Sequence, residues 1–412
     1  MKTRKRFLAL LGVVAIIAAA CGGGASTAPS TAPSTGSSPA PTDSGPVPLT
    51  GALTVWHAYG SSGGSAEFRA FSRILEDLKA KYPDLTIDAV EVKFDDLYKN
   101  FEAESGAGGG PDMFIGPNDS LGAEARGKYL VDLTGKIDDV LANTIDVAVS
   151  GSKVDGAVYM VPESLKAVAM YYDTAKVATP PTTTDELLAY VKGGGKVGMI
   201  TGAYFGWGLY SAFGGKIFDD AGKCVADANS GVADALAFAK QLKDAGGLVD
   251  SDYGKVNDAF INGQIDIMFN GNWTLGDYKS ARPGLAVAPM VAGSGGPAKT
   301  MAGVDGWYIN AASKNIDLAV AVAKELVSSA AQRTYVDIAG HVPAAKDVTV
   351  LDPLVKGFTD AILLGDARPQ IEQFGNYWGP FGDAWSKAVP DDGSAGGATT
   401  ALVAEACTTL GK

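Results

Sequence analysis

Apolar and polar positions along this chain switch repeatedly between a strand-like and a helix-like period. Leu53–Trp56 is a short apolar run, expected as a buried strand. From Ser65 to Lys81 the period lengthens: Phe68, Phe71, Ile74, Leu75 and Leu78 share one face of a helix that Pro83 stops. Thr86–Val92 alternates as a second strand, and Met113–Ile115 is a third, short and apolar. Helices are expected at Asp185–Lys192, at Val232–Ala245 with Gly246 as its stop, and near Val256–Asn262. Strands are expected at Ile265–Phe269, Leu285–Ala288 and Trp307–Asn310, a helix over Ile316–Ser329, and helical stretches at Pro353–Leu364 and Ala398–Leu410. Strand–helix alternation on this scale predicts an α/β protein with mainly parallel sheets. No repeat is visible within the body.

The first residues follow a different pattern. Lys2, Arg4, Lys5 and Arg6 precede an uncharged apolar run from Phe7 to Ala20, followed by Cys21 and three glycines. A basic start, a short apolar core and small residues at the cut describe an export signal over residues 1–20, too short to span a bilayer comfortably. The small residues before Cys21 resemble a bacterial lipobox. That resemblance implies that Cys21 becomes the lipid-modified first residue of the mature protein. The alternative is an ordinary secretory signal with a chance cysteine. Residues 21–48 are almost entirely Gly, Ser, Thr, Ala and Pro, with Ser-Thr-Ala-Pro at 26–29 and again at 30–33. Such a stretch buries nothing, and as a coil it reaches about 30 Å. It reads as a tether holding a folded body off a membrane.

The remaining residues suffice for two domains and exceed one ordinary core. The formal net charge is −12, and loss of the four basic leader residues takes the mature chain to −16. That balance excludes nucleic acid as the natural partner and leaves the lipid as the only route to a membrane surface. Besides Cys21 the chain holds only Cys224 and Cys407, and its only histidines are His57 and His341. In an oxidising compartment the two cysteines read as a disulfide, against two separate buried thiols. No metal site or cofactor is expected.

Enzyme motifs are weak. Gly193–Gly198 fits G-x-G-x-x-G, but it follows a helix and leads into a strand, the reverse of a dinucleotide site. It reads as a helix stop. Gly106–Gly110 lacks the Lys-Ser/Thr ending of a phosphate loop and reads as a turn. Aromatic residues carry more information. They cluster beside glycines at Ala203–Tyr210, Asn270–Thr274, Gly306–Tyr308 and Asn376–Pro380, a context of loops and element ends. Open α/β sheets place ligands at strand ends, and a ring face with polar neighbours suits a sugar.

The segments Leu53–His57, Gly110–Ile115, Val161–Tyr172, Ala259–Trp273 and Tyr308–Ser313 make the chain similar to bacterial extracellular solute-binding proteins of the sugar-binding type, and within them to the maltose/maltodextrin-binding group. The resemblance runs from about Gly51 to the end, and Ala259–Trp273 is its most specific part. It implies a two-lobed periplasmic-binding-protein-like fold, each lobe a sheet flanked by helices, with three hinge crossings. The first lobe would comprise residues 50–164 plus 300–350, the second 165–299 plus 351–412. Cys224 and Cys407 then share a lobe, which favours their bridge. The implied function is capture of an oligosaccharide for an ABC-type importer, at the outer face of the membrane, by a monomer that is not an enzyme.

The resemblance carries over Tyr204, Trp207, Trp273 and Trp378 as aromatic ligand contacts and Asp119 as an acceptor for sugar hydroxyls. Tyr59, Glu163 and Trp307 are added as candidates without a motif. Gly116 stands where the group usually has a ring, Ser120 where it has arginine, and Gly202 and Lys166 where it has glutamate. These departures put maltose in doubt more than a carbohydrate. Trehalose, a β-linked glycan or a polyol are the other ligands weighed, and a secreted carbohydrate-active enzyme or an adhesion module the other classes.

Overall fold

In the computed structural model, which describes residues 48–60 and 64–411, the strands sort into two large sheets and a two-stranded hairpin. In chain order they are β1 (Gly51–His57), β2 (Leu85–Glu91), β3 (Met113–Pro117), β4 (Lys153–Val154), β5 (Ala157–Val158), β6 (Met160–Lys166) and β7 (Val168–Asp173). Then come β8 (Val197–Ile200), β9 (Leu248–Asp250), β10 (Ile267–Gly271), β11 (Leu285–Ala288), β12 (Met301–Ile309), β13 (Val342–Pro343) and β14 (Asp366–Ala367). The first sheet runs β13-β6-β12-β3-β1-β2, with β14 paired to β12; the second runs β11-β7-β10-β8-β9; β4 and β5 form a small hairpin. The leader, Cys21 and nearly all of the tether lie outside the described residues.

Each sheet is parallel on one side, as β2-β1-β3 and as β9-β8-β10. The strands nearest the passage between the lobes run antiparallel: β12 against β3 and β6, and β7 against β10 and β11. Parallel pairing needs a crossover, whereas a chain that passes from one sheet into the next can lie antiparallel. The chain leaves the first sheet at Ala167, returns between Ala288 and Met301, and leaves again after Pro343. The β6 strand reaches Lys166, and β14 brings a short piece of the late chain back to the first sheet.

Local sequence explains most element ends. Ser65 caps the helix Ala66–Lys81, its hydroxyl accepting from the Phe68 amide. The glycine run at 193–198 does stop the helix Thr184–Lys192 and lead into β8. The helix expected over Ile316–Ser329 is instead two, Ile316–Leu326 and Ser329–Ala339. Ser328 starts the second by accepting from the Ala331 amide. Gly340, at φ 76°, ends it and turns the chain inward to His341.

One core lies between the first sheet and the helices Ala66–Lys81, Ile316–Leu326 and Ser329–Ala339. A second packs the helices Gly231–Asp244, Trp378–Ala388 and Thr399–Leu410 against β8 and β10. A third runs from Phe101 and Phe114 in the first lobe to Tyr171, Phe260 and Phe358 in the second, so apolar packing is continuous past the crossings. Cys224 and Cys407 are bonded, with Cα atoms 5.6 Å apart, tying the chain before Gly231–Asp244 to the last helix.

Candidate functional site

Three rings meet on the second lobe. Tyr204 follows β8, Trp273 sits in the single turn after β10, and Trp378 opens the helix Trp378–Ala388. The Tyr204 ring centroid lies 5.8 Å from that of Trp273 and 6.5 Å from that of Trp378. All three are partly buried, and the Trp273 indole donates to the Tyr253 hydroxyl at 3.1 Å. Gly271 makes this possible, because a Cβ there would sit 1.8 Å from the Trp273 ring.

The first lobe sets charge against this floor. Arg368 follows β14, and its amide donates to the Ala302 carbonyl at 3.0 Å. Its guanidinium pairs with Asp119, donates to Asn118 Oδ1 at 3.1 Å, and lies 5.3 Å from the Tyr204 ring centroid and 6.0 Å from that of Trp378. Gly303 leaves room for it, since a Cβ there would be 2.8 Å from the guanidinium. Burial pushes the Asp119 carboxyl up from its usual range, against the pull of Arg368.

A second charged group lies under the amino end of Ala66–Lys81. Lys166 Nζ is 2.5 Å from Glu67 Oε1 and 3.4 Å from Asp305 Oδ2. His341 places Nε2 2.8 Å from Glu67 and Nδ1 3.2 Å from Glu163. A bulge in β6 aims Glu163 this way: Ser164 pairs with Asp305 and Pro162 with Gly306, leaving Glu163 without a partner in β12. Burial works against an ionised Glu67, but Lys166 and His341 outweigh it and hold the carboxyl down at about 2. Burial raises Asp305 to about 6 even with Lys166 beside it. For His341, burial and Lys166 oppose protonation, and the two carboxylates prevail and raise it.

Tyr204, Trp273, Trp378 and Asp119 are thus brought together, and four candidates are not. Trp207 is buried behind the floor, edge-on to Tyr377 at 5.3 Å, because the helix it opens turns its indole into the second-lobe core. Trp307 is fully buried 5.9 Å from Phe71, since β12 turns that side chain under the helix Ala66–Lys81. Tyr59 packs 5.4 Å from Phe71, with its hydroxyl 3.2 Å from that of Tyr335. Glu163 is fully buried and committed to His341. These four belong to the supporting layer and correct the expectation of ligand contact. Gly116 lacks a ring because the Tyr98 hydroxyl fills that space, 2.8 Å from where a Cβ would lie.

Sequence reasoning missed Arg368, Asp305 and Glu67. An arginine in Gly365–Pro369 reads as a surface residue, and only the β14 pairing turns it inward. Asp305, beside the Gly306-Trp307-Tyr308 cluster, was the one with a signal: a lone carboxylate in an otherwise uncharged strand.

The family model for the bacterial extracellular solute-binding protein matches residues 73–359. The chain is 27% identical over 363 residues to the maltotriose-binding protein of Pyrococcus abyssi, covering 83% of this chain and 78% of that protein. It is 24% identical over 355 residues to the galactooligosaccharide-binding protein of Bacillus subtilis, covering 80% of this chain and 82% of that one. The structure of the Thermus thermophilus maltotriose-binding protein with maltotriose superposes with a TM-score of 0.77 at 29% identity, covering 87% of this chain and all of the other.

Proposed function

We propose that this chain, which belongs to the bacterial extracellular solute-binding proteins, captures an uncharged oligosaccharide between its lobes for an ABC-type importer. A gluco-oligosaccharide of the maltodextrin type is the first ligand to test and a galacto-oligosaccharide the second, in line with what the similar proteins bind. The observation that carries the reading is the floor of Tyr204, Trp273 and Trp378 facing the Arg368–Asp119 pair of the other lobe. A pyranose offers apolar C–H faces to such rings and hydroxyl edges to such charges. Cys21 carries the lipid and residues 21–48 form the tether, so the body works outside the cytoplasm as a membrane-anchored monomer.

Closure drives the mechanism. A sugar that touches both floor and charges only in the closed form shifts the population toward it. A swing from 1:99 to 99:1 takes about 5.5 kcal/mol of preference for the closed form. Three stacked rings and several charged hydrogen bonds, each worth on the order of 1–2 kcal/mol, reach that sum. The same pairing supports a receptor over an enzyme: Asp119 is engaged by Arg368, and Glu67 and Glu163 by Lys166 and His341. Calorimetric titration with maltotriose and with galacto-oligosaccharides, alongside a reducing-sugar assay, tests this. One-to-one binding without release of shorter sugars is expected. Turnover abolished by a single carboxylate substitution overturns it.

A further inference from the structure

Three buried polar atoms at this end of the two sheets have no hydrogen-bond partner among the described residues: Tyr204 Oη on the second lobe, and Asp305 Oδ1 and the Oγ of Ser164 across from it on the first. The Arg368 guanidinium lies 5.3 Å from the Tyr204 ring centroid and pairs with Asp119, on the loop that follows the strand end beside Asp305. Asp305 stands in β12 opposite Pro117, one residue before the Asn118-Asp119 loop that meets Arg368, so it belongs to the cleft end of the first sheet. Its other oxygen, Oδ2, is turned to Lys166 at 3.4 Å. A buried carboxylate oxygen left without a donor is costly to the folded state.

Resting on the sugar-binding reading above, we propose that Asp305 is a specificity-determining residue of this cleft. Its Oδ1 accepts a hydrogen bond from a free hydroxyl of the sugar unit lying on Tyr204, whose own hydroxyl is satisfied by the same unit. Lys166 fixes the carboxylate through Oδ2. An ionised carboxylate only accepts, so this position requires a hydroxyl donor and discriminates against O-methylated sugars. A carboxylate or phosphate placed against Oδ1 brings no donor to it, so this position favours uncharged glycans with free hydroxyls.

The groups that bear on Asp305 are Lys166 and Glu163 from β6, Glu67 from the helix Ala66–Lys81, His341 from the turn before β13, Arg368 after β14, and the phenols of Tyr98, Tyr204 and Tyr335. Burial among them raises its carboxyl to about 6. Binding through the ionised form therefore weakens as pH falls through that value.

The test is calorimetric titration of maltotriose and a galacto-oligosaccharide into the unmodified protein and Asp305→Asn, at pH 7.5 and pH 5.5. The unmodified protein is expected to bind one of these sugars and to lose affinity several-fold at pH 5.5. Asp305→Asn is expected to bind at least 10-fold more weakly at pH 7.5, with that pH dependence flattened and its melting temperature little changed. Binding by Asp305→Asn within two-fold of the unmodified protein overturns this assignment and leaves the sugar reading standing. If the variant does not fold, the unmodified protein decides alone, and equal affinity at both pH values overturns the assignment. Failure of the unmodified protein to bind either sugar overturns the sugar reading, and the assignment with it.

Discussion

The guanidinium of Arg368, carried by the first sheet, lies 5.3 Å from the ring centroid of Tyr204 on the second lobe while it pairs with Asp119. One side chain thus joins a carboxylate of one lobe to the aromatic floor of the other. Arg368 is 4% exposed, so its removal leaves Asp119 a buried charge without its partner. Arg368→Met is expected to cost about 3–5 kcal/mol, seen as a lower melting temperature, and Arg368→Met with Asp119→Asn to recover part of that loss. Calorimetric melts of the three proteins check this. A double variant less stable than the single one would contradict it.

Trp273→Ala removes one of the two indoles that flank Tyr204 in the floor. The indole is only partly buried and its one hydrogen bond goes to Tyr253, so the fold depends on it little. Sugar affinity is expected to fall about 10- to 100-fold, on the order of 1.4–2.8 kcal/mol, with the melting temperature nearly unchanged. Titration calorimetry reads the first and a thermal melt the second. Unchanged affinity would place the site elsewhere.

Cys224 and Cys407 are 183 residues apart in sequence, and the bond between them constrains the unfolded chain. Loop-closure entropy for that separation sets an upper bound of about 5 kcal/mol, and 2–4 kcal/mol is the typical range. Cys224→Ser with Cys407→Ser should therefore lower unfolding stability by about 2–4 kcal/mol in denaturant titrations, while affinity at 25 °C moves far less. A reduced protein as stable as the oxidised one would rule this out.

Glu124 is fully buried, and the acidic side chain beside it is Glu102. Burial, then the like charge of Glu102, raises its carboxyl from 4.5 to about 9. The folded chain holds this proton where the unfolded chain has released it, so stability falls as pH rises from about 4.5 to about 9. Glu124→Gln removes that dependence. Its melting temperature is expected to exceed that of the unmodified protein at pH 8 and to match it at pH 5, and an equal effect at both would contradict the assignment.

Periodicity made the outer elements legible. β1, β2, β3 and the helix Ala66–Lys81 lie within two residues of expectation, because each is a distinct apolar or periodic run bounded by polar or turn residues. β6 and β7 gave no alternation, being buried on both faces and interrupted by Pro162, Glu163 and Lys166. The floor was visible because Tyr204, Trp273 and Trp378 each sit beside small residues at an element end. The same cue failed for Trp207 and Trp307, since neighbouring glycines mark a close approach of backbone whether the ring points outward or into the core. The polar half of the site was not legible. Arg368, Asp305 and Glu67 matter through partners more than sixty residues away in the chain, and no local pattern encodes that.

The most direct test of the account is a crystal structure of the protein grown with the oligosaccharide that binds best in titration. The account predicts density for sugar rings against Tyr204, Trp273 and Trp378, with hydroxyls directed at Asp119, Arg368 and Asp305. Sugar bound away from those three rings, with the floor still covered by Arg368, would contradict it.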